Sequence, residues 1–167
     1  MPTPTTTGDV RTQPTAYFDI TNGPPECCGN PDLFVTTQHN IGEVPRLTFQ
    51  IPPNIGCAVL SYRFLTDEIP GGFFGTEFND LFEVSITSAP PSGDPRADEV
   101  SAADSILGLG LGAFSVDGAT NKFTLSLDVS NKSGHFVTFG VGVCNAIDNL
   151  FDSAICADVS FQAGSCC

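Results

Sequence analysis

From Ala16 onward, short runs rich in Val, Ile, Phe and Thr alternate with clusters of Gly, Pro, Asn and Asp. That punctuation belongs to strands separated by turns. It predicts strands over Thr15–Ile20, Leu33–Thr37, Arg46–Ile51, Ala58–Leu65, Leu81–Thr87, Ala113–Val116, Lys122–Leu127, His135–Cys144 and Ser153–Phe161. Three of these runs alternate cleanly. Phe82, Val84 and Ile86 share one side, as do Phe123, Leu125 and Leu127, and Val137, Phe139, Val141 and Val143. Successive side chains of a strand point to opposite faces, so one apolar face per strand is what two packed sheets require. The fold class that follows is all-β: a two-sheet antiparallel β-sandwich, jelly-roll-like and disulfide-stapled.

No segment carries a helical stripe. The stretch from Ser88 to Gly112 reads as one long connection. It starts as a Pro-rich loop, has room for a single helical turn at Asp98–Ser105, and ends in an apolar run broken by Gly108, Gly110 and Gly112. A connection of that length in a compact domain usually serves a function or an interface. Residues 1 to 15 are Thr/Pro-rich without periodicity and read as an extended arm or linker before one domain at 16–167. A chain of 167 residues fits one domain. A domain of that size can bury roughly 70% of its unfolded surface.

Charge narrows the partners. Asp and Glu number 19 against 6 Lys and Arg, for a formal charge of −13. Nucleic acid and anionic membrane surfaces both need cationic contacts, so neither is expected as a partner. No run approaches the ~18 apolar residues of a membrane span, so no membrane insertion is expected. The balance suits cations, and it equally suits a well-solvated acidic surface. Aromatic usage is 14 Phe, 2 Tyr and no Trp. Sugar-stacking platforms favour Trp and Tyr, whose rings face water on one side, so the Phe content reads as core.

Seven cysteines set the compartment: Cys27, Cys28, Cys57, Cys144, Cys156, Cys166 and Cys167. None forms a C-x-x-C pair, which argues for disulfides in an oxidising compartment rather than zinc. The doublets Cys27-Cys28 and Cys166-Cys167 suggest stapling of the two chain ends. Cys144 and Cys156 flank a turn and suggest a bridge between neighbouring strands. The connectivity stays open, and the odd count leaves one thiol free or available to another subunit. No basic and apolar leader opens the sequence, so secretion is expected to use another route or an earlier processing step. Asn131-Lys132-Ser133 is a glycosylation sequon.

Two acidic motifs carry the candidate chemistry. Thr66-Asp67-Glu68-Ile69-Pro70 leads through a Gly/Phe loop to Phe78-Asn79-Asp80-Leu81-Phe82, and far downstream stands Asp148-Asn149-Leu150-Phe151-Asp152-Ser153-Ala154. Carboxylates and amides at strand ends can gather six to eight oxygens around Ca²⁺. Glu68, Asn79, Asp80, Asp148 and Asp152 are the candidate ligands; the same residue types also make Asx turns and cap strand ends. No nucleophile elbow is present, and His39 and His135 are isolated, so no catalytic residue is assigned. Gly71-Gly72-Phe73-Phe74-Gly75 lacks the Lys-Ser/Thr of a phosphate loop. It reads as a flexible connection or as an exposed Phe73-Phe74 tip. With Leu107 and Leu109 of the glycine-rich run, that tip supplies the candidate assembly contacts.

Over about residues 58 to 161 the chain resembles the choice-of-anchor group of bacterial cell-surface β-sandwich domains. The resemblance rests on Thr66-Asp67-Glu68-Ile69-Pro70, Phe78-Asn79-Asp80-Leu81-Phe82 and Asp148 to Ala154, in that order and spacing. It implies an extracellular jelly-roll-like module of adhesive or matrix-associated proteins, not an enzyme. The expected function is a non-enzymatic, extracellular structural or adhesive module, calcium-stabilised and self-assembling as a filament, matrix or surface-layer subunit. Its N-terminal arm would add to a neighbour's sheet edge. The expected partners are copies of itself, other surface proteins or a glycan. The alternatives are a carbohydrate-binding module and a virion surface or decoration protein.

Overall fold

The computed structural model describes residues 5–7, 31–36, 45–69, 71–77, 79–91, 98–116, 118–144 and 153–166. Nine strands are found there: β1 (Thr5–Thr7), β2 (Leu33–Thr36), β3 (Arg46–Gln50), β4 (Cys57–Thr66), β5 (Leu81–Ala89), β6 (Asp98–Ser105), β7 (Phe123–Asp128), β8 (Phe136–Cys144) and β9 (Ser153–Gln162). One helical turn, α1 (Ile106–Leu109), and a 3-10 turn at Leu111–Ala113 follow β6. The sheets run β1-β3-β8-β5-β6 and β2-β9-β4-β7, with every pairing antiparallel. From β2 to β9 the chain interleaves the sheets in the orders 2-9-4-7 and 3-8-5-6, a jelly-roll arrangement, and β1 is added at the β3 edge. The expected sandwich is therefore the observed one.

The alternating faces predicted from the sequence are the packed ones. Phe82, Val84 and Ile86 of β5 and Val137, Phe139, Val141 and Val143 of β8 are all buried. They meet Leu60, Phe64, Ile155 and Val159 of the opposite sheet in one core. Two aromatic groups fill it. Phe49, Phe139 and Phe161 form an edge-to-face trio with centroids 5.4 to 6.0 Å apart. Phe64 and Tyr62 both pack on Phe82, at 4.9 and 5.8 Å. A smaller cluster, Phe34, Leu65, Ala119, Ala154 and Cys156, is separate from this core. It assembles where Leu65 bridges to Ala119.

Four expectations change. Asp98–Ser105 is not a helical turn but strand β6, paired residue for residue with Ser88–Leu81 of β5. Its Val100, Ala102 and Asp104 lie opposite Ile86, Val84 and Phe82. Cross-strand hydrogen bonding to β5 overrides the weak strand propensity of Ala, Ser, Asp and Glu. Ala113–Val116 is not a strand; the 3-10 turn ends in it, and Phe114 makes one isolated bridge to Thr120. Within the arm, Thr5–Thr7 pairs with Arg46–Thr48 of its own chain. The glycine-rich run does hold a helical turn, because Ser105 caps it: its Oγ accepts from Gly108 N at 2.9 Å. The predicted strand Thr15–Ile20 lies outside the described residues.

The cysteine expectations also change. Cys166 bonds Cys57, 109 residues away, fastening the C-terminal segment to the start of β4 rather than to the N-terminal segment. Cys156 is also disulfide-bonded, whereas Cys144 is free and exposed. The expected Cys144–Cys156 bridge is not formed, since Cys144 is free while Cys156 is bonded elsewhere. Cys27, Cys28 and Cys167 lie outside the described residues.

Candidate functional site

The first acidic motif meets Ser153, the start of the described part of the second, at one end of the sandwich. β4 ends at Thr66 and β9 begins at Ser153, and register places these two residues opposite each other. Cross-strand partners share a face, so both hydroxyls point the same way. Asp80 stands just before β5, in the other sheet. Ser153 Oγ lies 2.6 Å from Asp80 Oδ2 and 2.9 Å from Thr66 Oγ1. A serine hydroxyl has one proton and an ionised carboxylate only accepts, so Ser153 donates to Asp80 and Thr66 supplies the second link. Thr66 Oγ1 also accepts from Glu68 N at 3.1 Å. The Ser153–Asp80 bond thus ties the two sheets together across a sequence separation of 73, and the Ser153–Thr66 bond joins β9 to β4 within one sheet across 87.

Burial is deep. Thr66, Glu68, Asp80 and Ser153 are each 0% exposed, and Asp67 is 6% exposed. Backbone bonds fix the turn after β4: Gly71 N donates to Asp67 O and Phe73 N to Glu68 O, both at 2.9 Å. The Asn79-Asp80 pair receives the start of α1. Ile106 N donates to Asp80 O at 3.0 Å, and Leu107 N donates to Asn79 Oδ1 at 2.7 Å. Asn79 therefore acts as a cap for the incoming turn.

Of the candidate Ca²⁺ ligands, Glu68, Asn79 and Asp80 are gathered at this end, while Asp148 and Asp152 lie outside the described residues. Among the described residues no three His, Cys, Asp or Glu side chains converge on one point. The carboxylate and amide oxygens present are chemically suited to a hard cation. Thr66 and Ser153 are the residues that reasoning from carboxylates alone passed over. Their signal was a hydroxyl at each strand end beside each acidic motif.

The assembly candidates divide. Leu107 is 51% exposed. Leu109 and Phe74 are half-buried and pack on the main core, so Phe74 is not a free tip. Phe73 is half-buried, and Thr76 N and Oγ1 both donate to its carbonyl. Asn131 is exposed with φ of 63°, in the turn after β7, which leaves its sequon accessible. Next to it, Lys132 pairs with Asp98 and donates to Ser88 Oγ, tying this turn to β5 and β6.

No helix among the described residues is long and apolar enough to cross a membrane. No family model matches the chain, and no curated protein does. Among solved structures, the chain is similar to the X-ray crystal structure of a non-crystalline cellulose specific carbohydrate-binding module, CBM28. The TM-score is 0.47 and the identity 12%, covering 80% of this chain and 75% of that one.

Proposed function

We propose that this protein is a non-enzymatic, extracellular structural or adhesive module that associates with copies of itself, and that Ca²⁺ stabilises its acidic end. The observation that carries the reading is β1. Three threonines complete the open edge of β3, and the next strand, β2, is in the other sheet. Such an edge strand is held by few bonds and can equally be supplied by the arm of a second copy. The disulfides suit an oxidising compartment. The resemblance to choice-of-anchor domains supports the same setting.

The test is light scattering of the purified chain over a hundredfold concentration range, with and without residues 1–8. Concentration-dependent oligomers that vanish on truncation are expected. A full chain that stays monomeric throughout overturns self-association. For the metal, added Ca²⁺ raises the melting temperature of the wild type and not of Glu68→Gln or Asp80→Asn. Identical melting in Ca²⁺ and in chelator removes Ca²⁺ from the reading. A glycan-binding module ranks second because Phe136 is the one large aromatic side chain exposed among the described residues. A stacking platform needs several.

A further inference from the structure

The sandwich gapes along one side, where edge strand β6 of one sheet overlies edge strand β7 of the other. A cleft of about 100 Å³ opens there, lined by Tyr62, Phe82, Phe123, Ala102, Asp104 and Leu109 among others. Register builds it. Tyr62 and Phe123 are cross-strand partners in one sheet, with rings 5.5 Å apart at 44°. Phe82 and Asp104 are partners in the other, so Asp104 shares the inward side of Phe82. The inner row of β6 reads Val100, Ala102, Asp104. A carboxylate stands where the pattern calls for an apolar residue. Asp104 Oδ1 is anchored by Ser105 N at 2.9 Å. It also fills the space left by Gly108, where a Cβ would collide with it.

We propose that this cleft binds an alkylammonium group. Aromatic rings attract a cation through their negative faces and cover its apolar substituents. Asp104 is the one charged side chain in the lining, so the field there is negative. The chain's formal charge of −13 adds to it. The Tyr62 hydroxyl reports the same field: burial first, and the Asp104 carboxylate second, hold its pKa above the ordinary value. Volume selects among ligands. A cavity of about 150 Å³ accepts benzene, so the enclosed part of this ligand is a few heavy atoms, less than a pyranose with its hydroxyls. An ammonium head with its neighbouring methyl or methylene groups fits. The head could belong to a free small molecule or to a lysine side chain of another protein; the shared chemistry is the ammonium.

NMR titration tests this. The ring protons of Tyr62, Phe82 and Phe123 are followed while choline, 3,3-dimethylbutan-1-ol (its neutral isostere) and N-acetyl-lysine methylamide are added in turn. Saturable shifts are expected with choline or capped lysine and not with the alcohol. The one that saturates first identifies the source. Asp104→Asn is expected to weaken binding about tenfold or more, since the attraction between the carboxylate and the ammonium charge is lost. Ala102→Leu, which fills the cleft without touching the charge, is expected to abolish it. Shifts of equal size with alcohol and cation, or none with either cation, overturn the proposal. An inward charge on an edge strand also guards against sheet-to-sheet association. Aggregation of Asp104→Asn, with no cation binding by the wild type, would assign Asp104 that role instead.

Discussion

β4 runs the length of the sandwich, and its two ends are held by different physics. At Cys57 the bond to Cys166 is covalent. Beside it, Gly56 lets two backbone segments approach: its N donates to Gln162 O, its carbonyl accepts from Val129 N, and Gly164 lies against its α-carbon. At Thr66 the hold is a buried polar node in which Asp80 of one sheet accepts from Ser153 of the other. The disulfide acts largely by restricting the unfolded chain, so it is indifferent to small changes around it. The node acts only in the folded state. Its members are desolvated, so each loses most when a partner is removed. One end keeps its bond when its surroundings change; the other depends on its complete set of partners.

The largest expected effect breaks the covalent end. Replacing both Cys57 and Cys166 by Ser opens a loop of sequence separation 109. It should cost about 3–5 kcal/mol in denaturant unfolding on the chain-entropy account. Next comes the polar end. Asp80→Ala should cost about 2–3 kcal/mol, because buried hydroxyls lose their acceptor. Ser153→Ala should cost about 1–2 kcal/mol, and the double variant less than the sum, since the two residues are in contact. Strict additivity would show that they do not act as one unit.

Gly56→Ala sharpens the picture of the covalent end. An ideal Cβ there would stand 2.6 Å from Gly164 O, a backbone atom that cannot swing away. Forcing the segments apart should cost about 1–3 kcal/mol while leaving the disulfide formed, as a thiol count would verify. The smallest effect is in acid. Asp128 lies opposite Cys57, and hydrogen bonds from the Ser130 side chain and then its backbone hold its carboxyl below the ordinary 3.8. A lowered folded-state value means the unfolded chain binds the proton more readily. The contribution is therefore present above pH 3.8 and lost as pH falls through the folded-state value. Asp128→Asn should flatten that part of the acid-unfolding curve slightly, and an unchanged curve would discount it.

β5 and β6 show what was legible and what was not. β5 announces itself through Phe82, Val84 and Ile86 at period two. β6, with Val100, Ala102 and Asp104 on its inner row, is built from small and polar residues that would equally suit a helical turn. It becomes a strand because β5 offers it an unbroken ladder. The acidic motifs were legible as a pair, since their residues are charged or polar beside apolar runs. That Asn79 would cap α1, and that Thr66 and Ser153 would join the node, depended on which strand ends the fold brings together.

The sequence alone determined the fold class and the inward face of most strands, because period-two alternation is a local property read residue by residue. It also placed Thr66, Asp80 and Ser153 at or beside strand ends, through the turn residues that surround them. Only the tertiary structure decided that Cys166 bonds Cys57 and that Cys144 is free. The same holds for the meeting of Asp80 with Ser153 and for the cleft that Asp104 shares with Tyr62. Each of these depends on contacts between residues far apart in the chain, and no local pattern encodes which strand will lie beside which.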